Sequence, residues 1–401
     1  MPSSKSIAID LRSLNYPVRT GINVYCLCFL RELSLIKQEF PWLQVTAIGL
    51  QPERLHQLQL EFPWLANLFT NLQTLSEYTG LPKLANRWYN AMMLLTSRFF
   101  RKSRFSHLPK FDYMFLLQPK PLWLHPETKQ VCVFHDLWSV AKPETTVWAN
   151  RWFTSRPVYQ QIVNTSDQVW AVSWSTARDL VKFLHVPETK VKLVYSARPD
   201  LESVSFESDT ITLPSKFLKR EYILALSGIE KRKNWHNLLL AYKVLIAQQL
   251  TTVPLVLAGR IVDAAYYREL RTLVQKLGLQ KQVIWLIDPT EKQKAELLKN
   301  CLFLAYPSIY EGFGFPILEA FYYGKAVLTS RISSMPEIAK DAAVYVNPLN
   351  YLDIARGLQI LLYNQSLRSQ LEKNSVKNLA QFNWLELRLA ILRTLKLVEN
   401  S

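Results

Sequence analysis

Glycine is scarce in this sequence of 401 residues. Ten glycines make up about 2.5% of the chain, against a usual level of about 7%. Glycine supplies backbone conformations that other residues avoid, and it lets a ligand come close to the main chain. Each glycine in a turn therefore indicates a local requirement, and Gly21, Gly312 and Gly314 stand in such turns.

The sequence also has few cysteines and no long apolar run. Its four cysteines include no C-x-x-C pair, so neither a disulfide framework nor a zinc site is predicted, and reduced thiols in a cytoplasmic protein are expected. The first ten residues, MPSSKSIAID, lack the apolar stretch of a signal peptide. No run of about 18 apolar residues predicts a membrane span.

Three motifs of phosphate chemistry are missing as well. There is no D-x-D pair to hold a metal against a diphosphate, and no G-x-x-x-x-G-K-[ST] loop. Gly312 and Gly314 have no third glycine three residues later, so they do not form a dinucleotide fingerprint. We therefore expect neither a metal nor a cofactor.

Negative charge is in deficit: 48 Lys and Arg residues against 32 Asp and Glu give a net charge of +16. Such an excess indicates an anionic partner, whether nucleic acid, anionic lipid or a phosphorylated ligand. The cations are spread over both halves of the chain and no nucleic-acid-binding module is present, so nucleic acid is not the expected partner. A basic, non-catalytic binding protein remains an alternative.

Short apolar runs alternate with longer amphipathic ones along most of the chain. This pattern predicts an α/β fold with two doubly wound, Rossmann-like parallel-sheet domains, at residues 1–198 and 221–380. A polar, proline-containing stretch over 199–220 is the predicted linker. The predicted helices include Trp148–Asn164 and a final amphipathic one within residues 381–401. Ligands of such sheets bind beyond the carboxyl ends of the strands.

The most informative stretch is Ala305–Ser330, AYPSIYEGFGFPILEAFYYGKAVLTS. An apolar strand ends at Tyr306, a loop with two glycines follows, and Pro316 is suited to the first turn of a helix that Gly324 would end. The predicted helix thus begins beside the carboxyl end of a strand. Backbone N–H groups and the helix dipole at that point attract an anion such as phosphate.

Two glutamates, Glu311 and Glu319, flank this loop. A carboxylate beside a phosphate would be repelled, so both are predicted to bind neutral hydroxyls, of which sugar hydroxyls are the obvious kind. The alternative is an ordinary strand–loop–helix turn with one capping and one exposed glutamate.

Three further groups follow other predicted strands. Arg232 and Lys233 come after the strand Tyr222–Leu226 and could hold a diphosphate, although a run of cations is often only a solvated turn. His135 follows the run Val131–Phe134, where a structural histidine is the alternative. Gly21 opens the first long helix and could let a backbone N–H face a phosphate, which taken alone is a weak signal.

A basic and aromatic stretch lies between Glu77 and Asp112, which enclose no acidic residue. Cations interleaved with aromatic side chains predict contact with an anionic membrane surface, at the inner face of the plasma membrane. The alternative is a helix that packs its apolar side inward and exposes its basic side. The cations are Lys83, Arg87, Arg98, Arg101, Lys102, Arg104 and Lys110.

The block Ser308–Ala320, SIYEGFGFPILEA, resembles the signature of retaining nucleotide-sugar glycosyltransferases of the group 1 (family 4) type, with its E-x7-E spacing. The resemblance extends to Arg19–Tyr25, to the His-Asp segment at His135, to Glu230–Tyr242 and to Ser333–Pro348, in the family's order. It implies a GT-B fold with two Rossmann-like domains facing across a cleft and a C-terminal helix that returns to the N-terminal domain.

The resemblance also implies roles for the candidate residues. Glu311 and His135 would contact the donor sugar near the reacting centre, Glu319 the ribose, and Gly21 the phosphates. Arg232 and Lys233 would neutralise the leaving diphosphate. The backbone donors to the diphosphate would be Gly312, Phe313, Gly314 and Phe315.

The implied activity is metal-independent transfer of a mannose- or glucose-type sugar, with retention, from a nucleoside diphosphate donor to a glycan or lipid-linked acceptor. The N-terminal domain would receive the acceptor, and cell-surface polysaccharide or glycolipid synthesis is the expected process. A sugar-nucleotide epimerase or hydrolase on the same fold is the alternative. Near Leu286–Asp288, where relatives often carry a glycine, this chain has none, which leaves the nucleobase open.

Overall fold

The protein is described from a computed structural model, which covers residues 4–15, 20–79, 105–146, 154–196 and 221–398. The chain forms two compact units. The first contains residues 1–141, 148–197 and 383–401, and the second contains residues 142–147 and 198–382. The predicted linker, 199–220, lies outside the described residues.

A parallel sheet of seven strands forms the centre of the first unit, in the order β3-β2-β1-β4-β5-β6-β7. Most residues in its central strands are buried, as expected for a sheet with helices on both faces. The order reverses direction between β1 and β4. The strands are β1 (Ser6–Asp10), β2 (Gln44–Ile48), β3 (Asn71–Gln73), β4 (Tyr113–Leu116), β5 (Lys129–Phe134), β6 (Gln168–Ala171) and β7 (Val191–Leu193).

The helices of this unit follow its strands along the chain. Thr20 and Ser173 cap two of them by accepting hydrogen bonds from the amides of Asn23 and Thr176. Within the described residues, the helices are α1 (Gly21–Glu39), α2 (Pro52–Glu61), α3 (Leu75–Thr79), α4 (Trp138–Ala141), α5 (Arg156–Thr165) and α6 (Trp174–Leu184), with 3₁₀ turns at Arg12–Asn15, Pro63–Leu65 and Glu188–Lys190.

The second unit repeats the plan with six parallel strands, in the order β10-β9-β8-β11-β12-β13. Its order reverses direction between β8 and β11. The strands are β8 (Ile223–Leu226), β9 (Leu255–Gly259), β10 (Val283–Ile287), β11 (Phe303–Tyr306), β12 (Val327–Ser330) and β13 (Ala343–Val346).

Its helices pack a continuous apolar core against this sheet, with Trp235, Tyr242 and Leu270 among the buried side chains. The helices are α7 (Trp235–Ala247), α8 (Ala264–Lys276), α9 (Glu291–Asn300), α10 (Phe315–Tyr322), α11 (Met335–Ala339), α12 (Tyr351–Tyr363) and α13 (Gln365–Leu379), with 3₁₀ turns at Pro143–Thr145 and Lys231–Lys233.

The last helix, α14 (Trp384–Thr394), belongs to the first unit and packs against α1. Arg388 on α14 donates from Nε to Oε2 of Glu32 at 2.7 Å, and Glu32 is almost fully buried. The predicted return of the C-terminal helix to the N-terminal domain is therefore confirmed, as is the fold class of two parallel-sheet Rossmann-like domains.

The local predictions were incomplete. Of the predicted helix Trp148–Asn164, residues 148–153 lie outside the described residues, and the described part is helical over Arg156–Thr165, with Pro157 in the first turn that proline favours. The elements α2, β3, α3 and α4 were not predicted, nor were those from α11 to α13. Strand β3 has only three residues and no fully buried position, so it lacks the apolar run by which the other strands were recognised.

Candidate active site

The carboxyl ends of β8 and β11 lie side by side in the second unit. The two strands are neighbours, with Phe303 paired to Ile223 and Leu304 to Leu224. The sheet reverses its order between them, which is where open α/β sheets bind ligands. The segments that leave these strands carry Lys231–Lys233 and Glu311, so the fold brings together two groups that are 78 residues apart along the chain.

Glu311 forms buried ion pairs with both predicted diphosphate-binding cations. Its Oε1 accepts a hydrogen bond from Nζ of Lys233 at 2.6 Å, and its Oε2 accepts one from Nη1 of Arg232 at 2.7 Å. The side chains of Glu311 and Lys233 are 6% and 8% exposed, so the pair is largely removed from water. Arg232 also pairs with Glu230 at 2.9 Å.

These contacts fix the charge of the cluster. Burial alone would raise the pKa of Glu311, but the charges of Arg232 and Lys233 outweigh it and lower that pKa to about 2. Burial and the neighbouring Arg232 lower the pKa of Lys233. At neutral pH Glu311 is therefore a carboxylate, held by the two cations rather than left to accept hydrogen bonds only from neutral hydroxyls.

Tyr306, the last residue of β11, completes the cluster and was not among the predicted site residues. Its hydroxyl accepts a hydrogen bond from Nζ of Lys233 at 2.9 Å, and a hydrogen bond from this hydroxyl helps to lower the pKa of Glu311. Tyr306 is 2% exposed. A phenol at the end of an otherwise apolar strand, FLAY, is the sequence signal that could have indicated it.

The loop between β11 and α10 presents unpaired backbone donors. Gly314 has φ +109°, a conformation that side-chain-bearing residues rarely adopt, and it immediately precedes α10. Within the described residues, the amide N–H groups of Phe313, Gly314 and Phe315 make no hydrogen bond. Three amide donors thus lie at the start of a helix, a place where anions commonly bind in proteins.

Two serines hold this loop in place. The hydroxyl of Ser334 donates to the carbonyls of Glu311 and Phe313 at 3.0 and 2.8 Å, and Ser333 bonds both the carbonyl and the amide of Glu311. On the other side, Asn234 donates from Nδ2 to the carbonyl of Pro307 at 3.0 Å. These hydrogen bonds hold the cations that follow β8 and the amides that follow β11 in fixed positions relative to each other.

Glu319 lies in the predicted helix, α10, and its side chain is half-buried. It has a different environment from Glu311, because burial is the dominant influence on it and raises its pKa to about 7. A carboxyl group that is close to half protonated at neutral pH can donate as well as accept a hydrogen bond. Such a group suits a hydroxyl-bearing ligand.

The remaining predicted residues lie in the first unit or outside the described residues. His135 follows β5, and its ring Nε2 bonds the carbonyl of Leu117 at 2.7 Å. Burial is the main cause of the lowered pKa of His135. Gly21 is the first residue of α1. Of the basic stretch, Lys110 is exposed and pairs with Glu127, whereas the six other cations lie between 80 and 104, outside the described residues.

The segment near Leu286, where relatives often carry a glycine, has an aspartate in the left-handed conformation of its turn. Asp288 has φ +51°, and its amide donates to the carbonyl of Gly259 at 3.2 Å. Aspartate tolerates this left-handed conformation better than most residues because its short side chain can bond locally. Gly259 itself has no room for a side chain, since an added Cβ would lie 1.7 Å from the carbonyl oxygen of Ser227.

The described part of the chain contains no group of three or more His, Cys, Asp or Glu side chains arranged to hold a metal ion. None of its helices combines the length and apolarity needed to cross a membrane. All four cysteines are free and buried.

Comparison with known proteins shows which family these features resemble. Residues 211–378 match the family model described as glycosyl transferases group 1. The serotype-specific mannosyltransferase WbdA of Escherichia coli is 30% identical over 263 residues, which cover 64% of this chain and 32% of that protein. The O-antigen chain mannosyltransferase B of Escherichia coli is 24% identical over 267 residues, covering 65% and 68%.

A solved structure with the same fold is the Anabaena protein HepE in complex with UDP and glucose. The TM-score is 0.69 at 16% identity, covering 98% of this chain and 100% of that one. The chain spans only about a third of the length of the first curated relatives it matches. Over residues 211–378 the chain is thus similar to the glycosyl transferases of group 1, and its fold is the GT-B fold of two parallel-sheet Rossmann-like domains.

Proposed function

We propose that this protein transfers a sugar from a nucleoside diphosphate donor to a glycan or lipid-linked acceptor. The observation that carries the proposal is the joint placement of Arg232 and Lys233 with the unpaired amides of Phe313–Phe315, at the switch point of the second sheet. Two cations and three backbone donors suit a diphosphate, which carries its charge on several oxygens. Glu319 supplies the hydrogen-bonding group for the ribose hydroxyls.

The chemistry that this arrangement supports is departure of the diphosphate. When the bond between the anomeric carbon and the phosphate oxygen breaks, negative charge grows on the diphosphate. Donors already fixed around that charge lower the barrier without having to reorganise. The acceptor hydroxyl then bonds the anomeric carbon from the face that the diphosphate leaves and gives its proton to the departing phosphate oxygen, which gives retention. We propose that Arg232 and Lys233 stabilise the charge on the leaving diphosphate without a metal ion.

The donor sugar is proposed to be of the mannose or glucose type, because mannosyltransferases are among the matched relatives and one structural neighbour contains glucose. The acceptor and the cellular process, synthesis of a cell-surface polysaccharide or glycolipid, are proposed on the same grounds. His135 and Gly21 keep their predicted roles at the donor sugar and the phosphates.

A donor screen tests the proposal. Nucleoside diphosphate sugars with uridine, guanosine, adenosine and thymidine bases are added separately, and a bound donor raises the melting temperature by mass action. Lys233→Met should abolish the shift, whereas Lys231→Met, a change at an exposed neighbouring cation, should keep it. Absence of a shift with every donor in the wild type would refute the donor assignment.

Products then separate transfer from the alternatives. NMR of the reaction with the active donor should show a new glycosidic bond of the donor's own anomeric configuration, formed only when an acceptor is present. Consumption of the donor without acceptor, with a free sugar or an epimer as product, would indicate a hydrolase or epimerase instead.

The membrane-borne acceptor has its own test. The basic stretch from Lys83 to Lys110 is proposed to bind an anionic membrane surface, so the protein should co-sediment with vesicles containing anionic lipid and less so with neutral ones. Failure to bind anionic vesicles at moderate salt would remove this part of the proposal.

A further inference from the structure

The first unit has its own switch point, between β1 and β4, with polar groups gathered beyond it. Asp10 ends β1 and is paired in register with Leu116, the last residue of β4. The next segments along these strands carry Arg12 and Lys120. Because ligands of open α/β sheets bind beyond the carboxyl ends at such a reversal, this edge is the expected place for a ligand of the first unit.

Asp10 and Arg12 form a two-point ion pair. Arg12 donates from Nε to Oδ1 of Asp10 at 2.8 Å and from Nη2 to Oδ2 at 2.7 Å, and the carboxylate is fully buried. Nη2 of Arg12 also donates to the carbonyl of Pro121 at 3.1 Å. This bond ties the segment after β4, which includes Lys120, to the end of β1.

Lys120, which follows β4, makes no direct ion pair with any described residue. It is half-buried, and its ammonium group forms neither an ion pair nor a hydrogen bond with the described residues. Burial and the nearby charge of Arg12 lower the pKa of Lys120, and the charge of Asp10 offsets only part of this effect. The thiol of Cys26 interacts electrostatically with Lys120, but burial raises the pKa of that thiol to about 12, so it offers no thiolate as a partner.

Two further donors near this edge lack partners. The hydroxyl of Tyr25 and Nε2 of Gln118 are buried and make no hydrogen bond among the described residues. Tyr25 precedes Cys26 and packs edge-on against the ring of His135, with the ring centroids 5.0 Å apart. Gln118 is two residues before Lys120 and follows Leu117, whose carbonyl bonds that same histidine.

An unpaired cation and unpaired donors are costly to bury, and a ligand that accepts hydrogen bonds would satisfy all of them. We propose that Lys120, Tyr25 and Gln118 form a subsite of the first unit for an oxyanion carried by the acceptor, either a phosphate ester or a carboxylate. This subsite extends the proposed transferase function. Only the identification of the anion's carrier as the acceptor rests on that function, because the oxyanion binds independently of catalysis.

Thermal-shift titrations of the full chain with sodium phosphate and with sodium acetate, at constant ionic strength, test the subsite. A Lys120→Met variant should bind the preferred anion at least tenfold more weakly, since a charge-assisted hydrogen bond is lost. Lys120→Arg should largely restore binding, and Lys129→Met, at an exposed lysine on the opposite end of the sheet, should have no effect. Preference for phosphate or for acetate identifies the source of the oxyanion.

The second unit binds anions as well under the proposed function, so a Lys233→Met variant is titrated in parallel. If Lys233→Met loses one binding event and Lys120→Met the other, both assignments stand. If only Lys120→Met changes anion binding, the subsite stands and the diphosphate assignment fails. Unchanged anion binding in Lys120→Met overturns the inference.

Stability gives a second readout that a structural lysine would not produce. Removal of an uncompensated, half-buried cation should raise the melting temperature of the ligand-free protein, so Lys120→Met gains stability while it loses anion binding. A lower melting temperature of Lys120→Met in the absence of anions would show that Lys120 has an internal partner, and would likewise overturn the inference.

Discussion

The Glu311 ion pairs make a quantitative prediction about stability and pH. Replacement of Glu311 by Gln keeps the shape of the side chain but leaves Lys233 as a buried cation without its carboxylate. The pKa of Glu311 falls from an ordinary 4.5 to about 2 in the folded protein. At 1.36 kcal/mol per pKa unit, this corresponds to roughly 3 kcal/mol of stabilisation at pH 7. The variant should be destabilised by about that amount.

The sign of the pH dependence follows from the direction of the shift. Because the folded-state pKa is the lower one, the stabilisation is fully present above pH 4.5 and is lost as the pH falls toward 2. By pH 4 the wild type should already have lost about 1 kcal/mol of it. The Gln variant has no such carboxylate, so the stability difference between the two proteins should narrow from pH 7 to pH 4.

Two measurements at pH 7, 5 and 4 give this difference in stability. One is denaturant unfolding monitored by tryptophan fluorescence, and the other is thermal unfolding measured by calorimetry. The chain has two units, so the transition of the second unit must be resolved from that of the first. Glu221→Gln, at an exposed glutamate of the same unit, is the matched control and should have no effect at any pH. A Glu311→Gln penalty that is equal at pH 4 and pH 7 would refute the electrostatic account.

Three other predictions follow from the structure. Glu319→Gln should raise the melting temperature at pH 8 but hardly at pH 5. The folded-state pKa of Glu319 is about 7, so the ionised side chain destabilises the wild type only as the pH rises above 4.5, and equal effects at pH 5 and pH 8 would contradict the assignment. Gly314→Ala, at φ +109°, should cost roughly 1–2 kcal/mol and weaken donor binding, whereas Gly324→Ala, at φ +63° with open space around it, should lower stability without touching donor binding, as calorimetry and donor titration can show. Arg388→Met should destabilise the first unit by about 1–3 kcal/mol in denaturant unfolding, because it leaves the buried Glu32 unpaired, and a second change, Glu32→Gln, should recover most of the loss.

Much of the fold followed from local patterns in the sequence. Alternation of apolar strands with amphipathic helices predicts two parallel-sheet units, because such strands need a covering helix on each face. The turn before α10 was equally readable, since glycine at a left-handed position and proline in the first helical turn are local requirements. Strand β3 was not predicted because its three residues contain no apolar run.

The roles of the charged site residues were harder to read. Sequence spacing indicated that Arg232 and Lys233 follow one strand and that Glu311 follows another, and the repulsion argument predicted that Glu311 binds neutral hydroxyls. The structure pairs Glu311 with both cations, and Tyr306 joins them from the end of β11. No local pattern encodes this cluster, because it depends on β8 and β11 being neighbours.

The sequence by itself determined where the chain makes its glycine-dependent turns, because the backbone conformation of a turn is set by its residues and their immediate neighbours. Gly314 and Gly324 adopt the left-handed conformations that their turns require. Only the tertiary structure decided which charges are compensated. Arg12 is satisfied by Asp10, Lys233 by Glu311, and Lys120 by no described residue, because pairing depends on which strand ends the sheet order brings together.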